Sequence, residues 1–238
     1  MMKKIMWIIS FISLAGTALV LPFMPDLVPM HYDEAGNIDR WGSKYENLML
    51  PAFIILITLL FFLMVRFFEK KALNATFEKE KAEAQSIAKV LGIAGASMAA
   101  MFTVMQGFIL YGSYQDAVSG ATTWSVDINK VSGYLMGILL IVLGNFITKT
   151  RINSVIGVRT DWSMYNDNTW RKSNRVGAWC IIAAGVLTIV TCALMENSFI
   201  AIMMAVGYLV IAAIIAVAYS YKVYRKELET EKEGNSGK

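Results

Sequence analysis

The sequence predicts an all-α fold, a polytopic membrane helical bundle of about six transmembrane helices with a short extracellular hairpin, and three observations predict it. Six apolar segments, 5–23, 47–65, 90–111, 131–148, 176–194 and 199–220, contain no Asp, Glu, Lys or Arg. Each comes close to the ~20 residues that cross a ~30 Å hydrocarbon core. The basic residues are partitioned between the connections: 19 of the 22 Lys and Arg fall into alternate ones, and only Arg40, Lys44 and Lys130 into the others. That asymmetry places both termini in the cytoplasm of a bacterial cytoplasmic membrane. Composition agrees, since 56% hydrophobic residues, 17% charged residues and a mean hydropathy of +0.51 are too apolar for a soluble chain of this length. The net charge of +4 then reflects anionic lipid at the inner face and gives no reason to expect direct nucleic-acid binding.

The elements follow in order. Lys3 and Lys4 precede the first span, and no small-x-small site follows before Pro22, so the segment reads as a retained span and not a cleaved signal peptide. Residues 1–68 hold the first two spans and the outer Pro/His/Asp hairpin; 69–130 hold a cytosolic helix, the third span and an outer loop. Residues 69–89 carry Glu78–Lys81 and Lys79–Glu83 pairs at helical spacing, as a solvated extension of the third span would. Residues 131–222 form a three-span region with a cytosolic Arg/Trp loop, and 223–238 read as a disordered cytosolic tail. In the fourth span Gly133, Gly137 and Gly144 make a smooth stripe for close helix approach, while Gln106 and Asn145 are the strongest intramembrane polar groups and candidates for interhelical bonds. The six Trp lie at boundaries or in loops, where headgroup-zone rings are expected. Cys180 and Cys192 share the fifth span about 120° apart on a helix, so neither a disulfide nor a metal site is implied.

Two connections are long enough to carry function. In the outer one, Pro22, Pro25 and Pro29 exclude helix, and Asp33 to Gly36 has turn chemistry, giving an extended hairpin. It contains the single histidine, His31, among Asp26, Asp33, Glu34, Asp39 and Glu46. These residues could bind a divalent metal, hold the loop together, or meet a partner; without a second His or Cys at ligand spacing, structure comes first and metal last. The candidate outer partner surface is Asp26, His31, Asp33, Gly36, Asp39 and Lys44. In the inner connection, Asn153, Gly157, Arg159 and Thr160 suggest a tight turn, after which Asp167 or Asn168 caps a helix that continues into the fifth span. On it Arg171 and Arg175 share one face, as do Trp170 and Asn174. This helix is either an interfacial anchor, with Arg on lipid phosphates and Trp among headgroups, or a docking platform for a cytosolic protein, and the candidate inner partner surface is Asn153, Gly157, Arg159, Thr160, Trp170, Arg171, Asn174 and Arg175.

These segments resemble known ones. MPDLVPMHYDEAGNIDRWGSK is similar to the Pro-Asp-x-Val-Pro-x-His and Gly-x-x-Asp-x-x-Gly-Ser-Lys segment of a small membrane domain of unknown function found in bacterial multi-span proteins. Asn153, Gly157, Arg159-Thr160, Trp170, Asn174-Arg175 and Gly177 resemble the hallmark of the SdpI-type toxin-immunity family. Where relatives tend to carry Thr-Leu and an acidic residue ahead of the Trp, this chain has Ser163-Met164 and then Asn166-Asp167-Asn168. The resemblance implies a membrane protein that protects its host from a secreted peptide toxin outside and, in the founding system, also sequesters a cytosolic repressor inside. It implies no catalytic residues, no cofactor and no metal. Two other classes remain: a small transporter or channel, for which Gln106 and Asn145 are the available polar route, and a membrane enzyme using His31 with Asp33 or Asp39.

Overall fold

The computed structural model describes residues 1–153 and 155–236, with no side-chain detail beyond Glu233. Its six helices are α1 (Met2–Val20), α2 (Met49–Leu73), α3 (Glu78–Ser119), α4 (Ile128–Ile147), α5 (Asp167–Leu194) and α6 (Ser198–Ser236), all long and apolar enough to cross a membrane. Between α1 and α2 stands an antiparallel hairpin, β1 (Leu27–Tyr32) and β2 (Ile38–Ser43). The protein is therefore a polytopic all-α membrane bundle with one small hairpin.

The bundle has two three-helix groups. α1 and α2 pack on α3, α4 and α6 pack on α5, and α3 meets α4 between the groups. Small residues set the second group's spacing: a Cβ on Gly137 would stand 2.7 Å from the Gly185 carbonyl, and one on Gly185 2.6 Å from the Gly137 carbonyl. Such backbone proximity gives dispersion contact that lipid cannot supply. The glycine stripe expected in the fourth span thus does its packing against α5.

In the first group the buried face of α1 is polar apart from Met6: Ser10, Ser13 and Thr17 are all buried. Ser10 and Thr58 exchange a hydroxyl hydrogen bond of 2.7 Å, and the Gln106 amide donates to Thr17 Oγ1 at 3.2 Å and to the Asn47 carbonyl at 3.0 Å. Gln106 therefore ties three segments together. Asn145 does not behave this way; it is exposed, and its side chain has no hydrogen bond among the described residues.

Two expectations about the solvated parts need correction. The helix expected over 69–89 is divided, because α2 continues to Leu73 and α3 begins afresh at Glu78. The tail expected to be disordered from residue 223 is instead helical to Ser236. It is held there by contacts with the 150–168 connection, described below.

Candidate functional site

The two ends of the bundle carry different chemistry. At the hairpin end, Pro22 does not exclude helix as expected but lies in a single 3₁₀ turn, Leu21–Phe23, that follows α1; Pro25 and Pro29 come after it in non-helical chain, and Pro29 sits opposite Trp41 in the register beside a bulge at Met30. The turn closes on Asp33, whose Oδ1 accepts from the Ala35 and Asn37 amides at 2.9 and 2.8 Å. Hydrogen bonds to Asn37 hold the exposed Asp33 carboxyl below its ordinary pKa. Gly36 takes φ +88°, a left-handed conformation that a side chain resists, and the Trp124 indole covers it at a distance where a Cβ would clash.

The predicted carboxylates are mostly occupied within the hairpin. Glu46 receives both Arg40 guanidinium nitrogens at 3.0 Å and completes a capping box with Ser43. Lys44 is buried and not an outward contact: its Nζ lies 3.0 Å from Asp26 Oδ1 and donates to the Met24 carbonyl at 3.1 Å. Asp26 itself remains exposed. His31 Nδ1 meets Asp39 Oδ1 at 2.6 Å on the open surface, a pair between side chains of the two strands. Among the described residues, no group of three or more His, Cys, Asp or Glu is placed to hold a metal ion.

Sequence reasoning missed the residue that anchors this hairpin. The third helix runs eight residues beyond the expected span end at 111, reaching Ser119, and carries Asp116 into full burial near its end. There the carboxylate accepts from the Tyr32 hydroxyl at 2.8 Å, from the Ser125 amide at 2.8 Å and from the Ser125 hydroxyl. Burial, and then the bond to Asp116, push the Tyr32 phenol well above its usual pKa. The Trp124 amide donates to the Gly36 carbonyl and the Ile38 amide to the Thr122 carbonyl, both at 2.9 Å, so the α1–α2 and α3–α4 connections form one cap. Between cap and helices lies a cleft of about 290 Å³, lined by His31, Tyr32, Pro29, Ile109, Trp124 and Val126 among others.

The opposite end is built from the 148–166 connection and the start of α5. Asn166, not Asp167 or Asn168, caps α5, accepting from the Asn168 and Thr169 amides at 3.0 and 2.8 Å. Trp170 is buried, its Nε1 donating to the Thr150 carbonyl at 3.0 Å, so it is a packing residue and not a headgroup anchor. Asn174, also buried, accepts from the Val158 amide at 2.7 Å and donates to the Trp170 carbonyl at 3.1 Å. Asn153 ties its own turn, accepting from the Val155 and Ile156 amides and donating to the Arg151 and Ile156 carbonyls. Gly157, at φ +119°, fits against Asn174 and Trp170.

The end of α6 completes this structure. Glu227 accepts from the side-chain amides of Asn166 and Asn168 at 3.1 and 2.6 Å, Glu231 accepts from the Tyr165 hydroxyl at 2.8 Å, and Thr160 and Ser220 share a hydroxyl bond of 3.0 Å. The bond to Glu231 raises the Tyr165 phenol's pKa. Of the eight residues singled out at this end, Asn153, Trp170 and Asn174 face inward, while Arg159, Arg171 and Arg175 are exposed and have no ion pair among the described residues.

Fold and ends together define a multi-pass membrane protein with a capped cleft on one side and an ordered basic connection on the other. Residues 149–220 match the model of the SdpI/YfhL protein family, and residues 8–56 match that of a domain of unknown function, DUF1648. Over 230 residues, 94% of this chain and 98% of the relative, the sequence is 25% identical to "Immunity protein SdpI" of Bacillus subtilis (strain 168). These matches show the SdpI-type resemblance across both motif segments. No solved structure matches the chain.

Proposed function

We propose that this protein is an immunity and signalling component of the bacterial cytoplasmic membrane, protecting its host against a secreted peptide toxin by binding and not by catalysis. In this reading the hairpin faces outward and both termini are cytoplasmic, as the distribution of basic residues favours. The supporting observation is the near full-length similarity to a protein named as an immunity protein. In this reading the two ends divide the work. Outside, the cleft lined by His31, whose ring pairs with the exposed Asp39, offers a largely apolar slot with polar groups at hand, suited to one apolar side chain of a peptide and its neighbouring polar groups. Inside, the exposed Arg171 and Arg175 on one helical face can each pair with a carboxylate of a cytosolic regulator such as a repressor.

The test is a paired assay on variants matched for membrane abundance: survival under toxin, and co-sedimentation of the regulator with membranes. Arg171→Gln with Arg175→Gln keeps length and helix propensity, so insertion and protection are expected to persist while recruitment is lost. His31→Ala is expected to weaken protection first. Equal loss of both outputs from either end would mean that the changes act through global folding, and the division of labour falls.

A further inference from the structure

The region matching the SdpI/YfhL family contains a second cavity, of about 390 Å³, that the immunity reading does not use. Its walls are apolar: Gly177 and Ile181 of α5 on one side, Leu209, Ala213 and Val217 of α6 on the other. Leu209 to Val217 covers about 12 Å of helix axis at ~1.5 Å per residue. Ala213 and Val217 are also exposed, so the slot opens sideways, toward the bilayer and not only toward water. At its mouth stand Arg159 and Thr160. Thr160 is held by Ser220, whereas Arg159 has neither a hydrogen bond nor an ion pair among the described residues, and its sequence neighbour Asp161 does not pair with it.

From this arrangement we infer that the slot is a binding site for a membrane phospholipid, with one acyl chain between α5 and α6 and the phosphate on Arg159. The occupant follows from the two ends of the cavity. An apolar slot open to the hydrocarbon layer is filled most cheaply by hydrocarbon. A guanidinium at the headgroup level, free of protein partners, presents a planar fork that matches phosphate oxygens. A free phosphate would leave the slot empty, and a lipid without phosphate would leave Arg159 unpaired. Gly157 and Gly177, both in the family hallmark, line the same cavity. Such a site needs no toxin to be occupied.

The experiment uses the full-length protein, purified and delipidated in detergent, with thermal unfolding followed as three probes are titrated: phosphatidylglycerol, diacylglycerol and glycerol phosphate. Phosphatidylglycerol is expected to raise the melting temperature saturably, and the other two, lacking phosphate or chain, are not. Arg159→Gln should weaken apparent phosphatidylglycerol affinity by about tenfold or more, the scale of one charge-assisted hydrogen bond. Ala213→Phe should fill the slot from its lipid side and abolish the saturable shift. Both positions are exposed, so the variants should fold. Equal stabilisation by diacylglycerol, or a response to phosphatidylglycerol unchanged in both variants, would overturn the site.

Discussion

Removing the Tyr32 hydroxyl tests whether Asp116 holds the hairpin on the bundle. Tyr32→Phe keeps the ring that packs beside Trp124 and deletes only the 2.8 Å bond to a fully buried carboxylate. A hydrogen bond to a charged group contributes about 1.5–3 kcal/mol, roughly 10- to 150-fold in an unfolding equilibrium. The loss should fall near the lower figure, because Asp116 keeps both bonds from Ser125 and the hairpin keeps its two backbone bonds to the 122–124 segment. The assay is a double-mutant cycle with Asp116→Asn, read by denaturing-detergent titration of the purified protein and by proteolysis of the hairpin. A coupling energy of about 1 kcal/mol or more is expected, since the two groups touch. If the two substitutions add to within ~0.5 kcal/mol, the anchor is not this pair and the account of the cap is wrong.

Asn174→Ala should cost about 1–3 kcal/mol by orphaning the half-buried Val158 amide, while the exposed Arg171→Gln control should stay within ~0.5 kcal/mol; matched thermal melts decide it. With Cys180 and Cys192 replaced by Ala, a cysteine at Ala35 or Ala121 should react with an impermeant thiol reagent in intact cells, and one at Glu229 only after permeabilisation. Labelling of the Glu229 site from outside would reverse the orientation. Asp33 has a lowered native pKa, so its contribution is fully present above the unfolded value of ~3.9 and is lost as pH falls through the folded one. Hairpin proteolysis should therefore rise below about pH 4 in the parent, and Asp33→Ala should be susceptible already at neutral pH.

What was legible in the sequence is what depends on local pattern. Uncharged runs gave the spans, prolines followed by Asp33 and Gly36 gave the hairpin, and the glycine stripe gave the close face of α4. What was not legible depends on partners far along the chain. Asp116 looks like a polar residue past the end of a span, yet its ligands are Tyr32, 84 positions away, and Ser125. The spacing of Trp170 and Asn174 shows that they share a face, but spacing does not say whether that face points to lipid headgroups or inward. Burial of both shows that it points inward, leaving the neighbouring Arg171 and Arg175 face free. Glu227 and Glu231, four apart, look like the solvated face of a tail. Their side chains instead complete the fold of the 165–168 segment, and so the tail is ordered.

The two ends are not independent appendages, because one helix belongs to both. α3 is 42 residues long, about 63 Å at ~1.5 Å per residue. Asp116 near one end receives the hairpin. Near the other, Ala84, Ile87, Ala88 and Leu91 pack with Val65, Phe68 and Ala72 of α2, and Val155 and Ile156 of the basic connection lie against that cluster. The helix is unbroken between these two contact zones. The hairpin and the connection are therefore packed on one continuous helix. Under the proposed function, a peptide bound at the cap would act on the other end by shifting α3, and not through contact with the Arg face itself. Substitutions at Asp116 and at Ile87 therefore bear on any link between the outer and inner events, whereas those at Arg171 and Arg175 bear only on the inner one.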